Sequence, residues 1–551
     1  TDLVPLDPDE ASIQAALGTV PVDERVPVLN WALGRDVRDT DGDGDVTEAR
    51  QDLGDALHVQ PLTLLYSGTA ASPVASVFLA TNDGFLHAFD AGTGRELWAF
   101  VPGRLLENLY RLYRNEAAAT KSYGLDGELS LVIRNDDGRP GVSGSERAIL
   151  LFGMGRGGSA LFAVDVTDRD APELLWEIDQ ATGGGDFADL GQTWSPPLPA
   201  RVRVGGTTTD VVVFGAGYDP VQDNREFRED TVGNAIYMVR LADGARVWSA
   251  GGEDAAGDHD LTLPAMRFSI PAPVKPLDLN ADGLAERLYV GDMGGQLWRF
   301  DIVNGESGSG LVEGGVLASL GGAAEASPAG ADLRRFYEAP DVVPTVLDNR
   351  LVISINLGSG YRGHPLDTGI EEAFFSIRDF DVFGVIPRDT YPAPVTIGQL
   401  VDVTSDAEAE LPFASAGWLL RLVQGAGEKV LGEALTIANT TFFTTFTPGE
   451  TASACTSGAG LNRLYAVSVF DGRPRTNFDS PVGEPLTIAD RSRILRAASP
   501  VTDVSFFRTG DGPQVCVTTE CLTAEEMERL GMPGAEVTRR TYWFQREGQA
   551  N

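Results

Sequence analysis

The chain has 551 residues, with 80 acidic against 43 basic side chains and a formal net charge of −37. That balance excludes a general affinity for nucleic acid or anionic membranes, which needs a cationic surface. The 42% apolar content suffices for a packed core, and the 64 glycines and 32 prolines are scattered among many short apolar runs, the composition of a turn-rich β protein. The length allows one large all-β domain or two or three smaller ones. No apolar run approaches the roughly 20 residues of a membrane helix, so no membrane span is expected. Thr1 begins no secretory leader, which reads as a leader already removed or a piece of a longer protein.

Residues 1–60 read as an N-terminal segment that packs on the rest of the chain. Within it, Asp39, Asp41, Asp43 and Asp45 stand at positions 1, 3, 5 and 7 of an EF-hand-type loop, with Gly44 at 6 and Val46 at 8. Arg50 occupies position 12, where an acidic ligand is usual, so Glu48 would have to close a shorter calcium loop. The competing reading is a solvated acidic loop that no ion organises.

From residue 61 onward a five-residue strand pattern recurs at 86–90, 161–165, 236–240, 297–301, 374–378 and 464–468. A second strand precedes it across a glycine-bearing turn, as at Asn82-Asp83-Gly84 and Met293-Gly294-Gly295, where positive φ angles are needed. A third follows with a tryptophan at Trp98, Trp176 or Trp248. Strand, turn, strand, turn, strand in six copies is the grammar of propeller blades. A seventh blade can be assembled from 501–507, 515–518 and 541–544, so a seven-bladed β-propeller spanning 61–551 is predicted, with six or eight blades as alternatives. The repeats lie farther apart than compact propeller repeats, which calls for insertions. Helical spacing at 104–112 and a Thr-x-x-Glu capping box at Thr523 and Glu526 mark two helical ones.

Between these strands lie the segments with chemistry. Residues 153–158 satisfy G-x-G-x-x-G, but strands flank the motif on both sides; without a helix N-terminus there is no dinucleotide site. Residues 278–286 place Asp278, Asn280, Asp282 and Glu286 at positions 1, 3, 5 and 9, with Gly283 at 6. Calcium takes about six to eight oxygen ligands at flexible angles, so these four side chains and the Leu284 carbonyl form the main candidate calcium site, on a hairpin loop. The bland alternatives are a solvated hairpin, or an ion that only ties a blade together. His58, His87, His259 and His364 form no HExxH-type pair, and no G-x-S-x-G elbow is present, so no catalytic set is expected. Asn439-Thr440-Thr441 matches a glycosylation sequon within a strand-like run. Of Cys455, Cys516 and Cys521, one disulfide is expected in an exported protein; Cys516 with Cys521, or Cys455 with either, would serve.

Several longer strings resemble one family: 53–58, 190–196, 358–365, 417–422, 428–431 and 443–448, together with the loop 278–286. They are similar to the C-terminal propeller domain of the PilY/PilC family of type IV pilus biogenesis factors and tip-associated adhesins, from about residue 28 to the end. The resemblance implies a modified seven-bladed propeller, exported, and located at the pilus tip, on the outer membrane surface or in the periplasm in transit. It implies calcium as the bound ion, held by Asp278, Asn280, Asp282, the Leu284 carbonyl and Glu286. Family members often have aspartate at the ninth position; Glu286 reaches further. It also implies control of pilus extension against retraction, with effects on twitching motility and attachment. Partners would be minor pilins or pilus machinery, and host or abiotic surfaces. Gly34-Arg35-Asp36 is not the Arg-Gly-Asp tripeptide of some members, so integrin binding does not transfer. The family's variable N-terminal region, which often contains a von Willebrand factor A-like domain and would carry much of the adhesion, is not in this sequence. Two other functions compete. Asp90-Ala91-Gly92-Thr93-Gly94 followed by Trp98 resembles a quinoprotein dehydrogenase repeat, though that pattern is clear only once and no adjacent Cys-Cys pair occurs. A purely structural propeller with calcium as a staple is the other.

Overall fold

All six copies of the recurring pattern are strands, and in six successive sheets each is the third strand. The computed structural model describes residues 3–532 apart from 51, 70, 118–119, 136–137, 182–184, 225–228, 323–328, 450–459, 479–483, 498, 502 and 510–511. Within them the chain forms a seven-bladed β-propeller. Blade 1 contains Leu62–Thr69, Ser72–Ala80, Leu86–Asp90 and Glu96–Phe100; blade 2, Leu129–Arg134, Arg147–Gly153, Ala160–Asp165 and Glu173–Asp179. Blade 3 contains Leu198–Val204, Thr207–Gly215, Ala235–Arg240 and Arg246–Gly251; blade 4, Lys275–Leu277, Arg287–Gly291, Gln296–Ile302 and Val312–Ser319. Blade 5 contains Asp341–Leu347, Arg350–Gly358, Ala373–Asp379 and Gly417–Arg421. In blade 6, Lys429–Val430 and Leu435–Ile437 both pair with Thr440–Thr447, followed by Leu461–Ser468 and Ser492–Ile494. Blade 7 contains Ser505–Thr509, Gly512–Val517 and Glu520–Cys521.

The fold corrects the sequence expectation in three places. Blades 1 and 2 have four strands and blades 3 to 6 have five, rather than three, because the added strands are half exposed or very short and show little apolar signal. The third strand of blade 7 is Glu520–Cys521; the expected strand at 541–544 lies outside the described residues. Asn439 stands at a two-residue hairpin tip with Ala438, both at positive φ, not inside a strand. Cys516 and Cys521 form the disulfide, while Cys455 lies outside the described residues. Residues 153–158 are a short turn between antiparallel strands. Ala524–Arg529 is a helix begun by the Thr523–Glu526 capping box.

The second and third strands are buried on both sides, and this decides where the core sits. Ala148, Leu150 and Phe152 pack toward blade 1, whereas Ile149 and Leu151 in the same strand pack toward blade 3. The same division repeats between every consecutive pair of blades up to blade 7. Such strands read as continuous apolar runs, not as alternation. At Gln60, the start of the propeller meets Asp503 of blade 7 through a 3.2 Å hydrogen bond.

The tryptophans peg one blade to the next. Trp98, Trp176 and Trp248 stand opposite Ala88, Ala163 and Met238, each just after a register shift; such a bulge adds local twist to its strand. The indole N–H of Trp98 donates to the carbonyl of Arg169 in blade 2 at 3.0 Å. Trp176 donates to Leu241 of blade 3 at 2.8 Å, and Trp418 of blade 5 to Val469 of blade 6 at 3.1 Å. Trp248 instead meets Phe300 of blade 4 edge-on at 6.0 Å. The receiving turn is the same in each case where a glycine lies under the ring. Gly244 and Gly472 have φ of +69° and +66°, and a Cβ there would come within 3.0 Å of the Trp176 ring and 3.1 Å of the Trp418 ring. The 90–94 turn that resembles a quinoprotein repeat closes in the same way, Gly94 N–H donating to the Asp90 carbonyl as Gly244 does to Arg240 and Gly472 to Ser468.

Ahead of the propeller, helices Ala11–Ala16 and Val22–Ala32 bury Leu17, Val28 and Leu29 against Phe85 of blade 1 and against Leu106 and Leu109 of the helix Leu106–Arg114. If the pegs hold consecutive blades, Trp418→Ala, which empties a fully buried site, lowers stability by about 3–5 kcal/mol. Urea unfolding followed by tryptophan fluorescence measures it; a midpoint unchanged from wild type rules the pegging role out.

Candidate metal centre

Antiparallel order places the turns between first and second strands at one end of the blades and the turns between second and third strands at the other. Loop 278–286 joins the first two strands of blade 4. Its C-terminal half is pinned: Ala285 N–H donates to the Arg201 carbonyl of blade 3 at 2.8 Å, Asn304 donates to the Ala285 carbonyl at 2.9 Å, and Leu284 is buried. Immediately after Glu286, the guanidinium of Arg287 is buried against Asp301 at 2.6 Å and donates to the carbonyls of Asp381 and Gly384 at 2.9 and 2.8 Å. Arg299 and Asp379 extend this ionic group into blade 5. A firm frame thus holds a polar loop.

The loop gathers its acids. One oxygen each from Asp278, Asp282 and Glu286 lie within 4.8 Å of one another, a span that one ion with oxygen ligands at about 2.3–2.6 Å can bridge. The carboxylates are held from below by backbone amides: Leu279 donates to Glu286 at 2.7 Å, Gly283 to Asp278 at 2.9 Å and Leu284 to Asp282 at 2.9 Å. Asn280 bridges the group, its amide donating to Glu286 at 3.1 Å and its Oδ1 accepting from Asp282 N–H at 2.8 Å. Ala281 takes a positive φ of 62° and Gly283 one of 88°, which folds the chain tightly enough for the side chains to converge. Burial, and then the neighbouring Asp278 and Asp282, push the Glu286 carboxyl up to about 7. Hard oxygen donors with excess negative charge fit a calcium ion.

The loop at 39–48 is built differently. Asp36 anchors it, accepting from the Thr40 amide at 2.8 Å and hydroxyl at 2.9 Å, and Asp36 N–H donates to the Glu48 carbonyl at 2.9 Å. Asp39, Asp41 and Asp43 come together, and Asp41 and Asp43 raise the pKa of Glu48, which faces them. Asp45 is not brought in: its carboxylate turns to the Thr47 hydroxyl and amide, which lower its pKa. Because this segment sits beside Asn82 and Asp83, in the turn between second and third strands of blade 1, the two acidic loops occupy opposite faces of the propeller.

Two further clusters had no signal in sequence spacing. His259 lies 3.0 Å from Ser249 through Nδ1 and 3.0 Å from Asp189 through Nε2. The side chains of His259 and Asp189 are only 2% and 1% exposed, and Asp189 also accepts from the amides of Ala256 and Gly257. No substrate reaches such a group; it latches two connections to blade 3. Around the axis, Glu128 and Glu338 precede the first strands of blades 2 and 5, and Glu433 precedes Leu435–Ile437 of blade 6. Glu128 is exposed and the other two half-buried, but the protein crowded around all three removes hydration and, with the neighbouring carboxylates, pushes each up to about 7; Arg362 pairs with Glu338 at 2.8 Å. The other histidines are dispersed: His58 pairs with Asp126, His87 with Glu96, and His364 with the Asp223 carbonyl.

Known proteins share this architecture and sequence. The family profile of the PilY1 β-propeller domain matches residues 65–415. The chain is 26% identical over 530 residues to the type IV pilus biogenesis factor PilY1 of Pseudomonas aeruginosa strain PAO1, covering 86% of this chain and 42% of that protein. It is 27% identical over 424 residues to a PilY1 homolog of Xylella fastidiosa, covering 74% of this chain and 30% of the homolog. The chain therefore spans less than half the length of these relatives. The crystal structure of the Pseudomonas aeruginosa PilY1 C-terminal domain superposes with a TM-score of 0.55 at 22% identity, covering 82% of this chain and 92% of that one, a likeness of fold.

In metal-free protein the Glu286 carboxyl is expected to titrate near 7, above the ordinary 4.5 of a glutamate, and Asp278→Asn to lower its midpoint only in part, because burial is the larger cause. Carboxyl carbon chemical shifts in an NMR pH series report both. The folded state then holds this proton more tightly than the unfolded one, so the metal-free chain loses stability as pH rises from about 4.5 through about 7.

Proposed function

The chain belongs to the PilY1 β-propeller family, and on that premise we propose that it is a calcium-binding, non-enzymatic propeller of a type IV pilus biogenesis factor. The observation that carries the calcium reading is the convergence of Asp278, Asp282 and Glu286 oxygens within 4.8 Å on a hairpin whose far end is fastened into a buried ionic group. Asp278, Asn280, Asp282, the Leu284 carbonyl and Glu286 would hold the ion, which would supply positive charge and order to the loop. The chain's own residues do the rest: Arg201 and Asn304 hold the loop backbone, and Arg287 fixes the strand that follows Glu286. A partner among the pilus components, minor pilins or pilus machinery, would distinguish the loaded from the empty loop. Such sensing requires calcium to favour one arrangement over the other, since equal affinity for both shifts nothing. Extension against retraction of the pilus, twitching motility and surface attachment are the outputs this reading assigns, in an exported protein acting at the pilus tip or outer membrane surface. No helix among the described residues is long and apolar enough to cross a membrane.

The same pinned geometry favours a second reading, in which calcium only staples the first two strands of blade 4. The two separate in the host. Asp282→Ala is expected to abolish stoichiometric calcium binding at this loop in calorimetric titration while the metal-free melting temperature stays that of wild type. A signalling site also loses calcium-dependent twitching in that variant; a staple loses only the calcium-induced rise in melting temperature. Retained binding at the loop by Asp282→Ala refutes the ligand assignment. Because Glu286 must give up its proton to an ion, affinity is expected to fall as pH drops below about 7, approaching about tenfold per unit, and to be flat above it. A pH-independent affinity between about 5.5 and 7 removes Glu286 from the ligand set.

A further inference from the structure

A cleft of about 550 Å³ separates the N-terminal segment from blade 1, on the face opposite loop 278–286. That volume suits a small ligand or a short peptide. One wall is a four-membered stack. Trp31 and Tyr113 pack edge to face at 6.1 Å, with the Arg50 guanidinium 4.1 Å over the Trp31 ring and that of Arg38 4.6 Å over Tyr113. A guanidinium laid on an aromatic ring keeps its in-plane N–H groups available for a bidentate acceptor. Here those groups lack one. Among the described residues the exposed Arg38 guanidinium makes no hydrogen bond or ion pair. Arg50 has Asp52 as its carboxylate contact, at 3.8 Å, and its buried Nε–H is without an acceptor.

This is unusual in a chain with 80 acidic and 43 basic residues, and the nearby acids explain it. Asp36 is occupied by Thr40, Asp55 by Lys121 at 2.7 Å and Asn82 at 3.0 Å, and Asp83 by the Thr81 hydroxyl at 2.5 Å. The arginines therefore call for acceptors from outside, while Asp52 on the same cleft, its side chain 73% exposed and 3.8 Å from Arg50, leaves oxygens open to donors. Inorganic phosphate brings acceptors without matching donors. A sugar needs an open ring face, and each ring here is covered by a guanidinium. An extended peptide supplies both, carboxylates from its side chains and N–H groups from its backbone.

We propose that this cleft binds an acidic peptide segment, with Arg38 and Arg50 taking its carboxylates. The proposal is independent of calcium at 278–286. It is tested by fluorescence polarisation on the full chain with a fluorescein-labelled hexapeptide of alternating glycine and glutamate, acetylated and amidated at its ends, beside its glutamine counterpart. The glutamate peptide is expected to bind, the glutamine peptide about tenfold or more weakly, and Arg38→Gln and Arg50→Gln each to lower affinity by about tenfold or more, as expected for lost charge-assisted hydrogen bonds. Arg240→Gln, remote and exposed, is expected to bind as wild type. Absence of glutamate-peptide binding, equal binding of both peptides, undiminished affinity of Arg38→Gln, or displacement of the peptide by an alginate trisaccharide or phosphate at comparable concentration overturns it. Should Arg50→Gln melt at lower temperature, Arg38→Gln alone decides, because its side chain is exposed.

Discussion

A middle blade of this propeller has no solvent face. Alternate side chains of one strand serve two different neighbours, as Ala148, Leu150 and Phe152 serve blade 1 while Ile149 and Leu151 serve blade 3. The leucine, isoleucine and phenylalanine side chains among them contribute about 1.5–3 kcal/mol each when fully buried, so the blades stabilise one another and none is expected to stand alone. Tryptophan adds direction to this adhesion. An indole on a fourth strand reaches across to a carbonyl just beyond the third strand of the next blade, and the turn beneath it carries glycine where any Cβ would press on the ring. Adhesion and pegging together set the angle between neighbours, and the ring of blades arises by repetition.

With the blade faces consumed by packing, chemistry is left to the connections. Loop 278–286 is polar and reaches solvent, but it ends in Arg287, whose charge is wholly inside the protein with Asp301, Arg299 and Asp379. Buried ion pairs of this kind add little net stability, because desolvation offsets their attraction. Their value here is positional. Two guanidiniums and their carbonyl partners in the 381–384 segment leave the strand after Glu286 one place to lie, and the Glu286 carboxylate with it.

The distribution of groups over the two faces separates functions that composition alone would merge. One end of the blades presents the pinned acidic loop of blade 4. The other presents the 39–48 loop and the cleft of Arg38 and Arg50, with Glu128, Glu338 and Glu433 converging on the axis. Geometry by itself is not activity, as Ser249, His259 and Asp189 demonstrate: their spacing is that of a hydrolytic triad, but the set is sealed inside blade 3 and its connections, where it can only hold.

Legibility in the sequence depends on whether the information is local. The third strands at 86–90, 161–165 and their four counterparts were legible because a strand buried on both faces is a short unbroken apolar run, bounded by glycine turns. The acidic loop 278–286 was legible because its oxygen-bearing side chains alternate within nine residues. By itself, then, the sequence determined the propeller class, the recurring strand and the convergence of Asp278, Asn280, Asp282 and Glu286 in one hairpin. The half-exposed first strands were not legible, since a strand such as Lys275–Leu277 shows no period. Nor was the turning of Asp45 toward Thr47, where a hydroxyl two residues on competes for the carboxylate. Only the tertiary structure decided which blade each tryptophan enters, that the two acidic loops face opposite ways, and that Arg38 and Arg50 share a cleft with Trp31 and Tyr113. These depend on segments far apart in the chain, brought together by packing that no local pattern encodes.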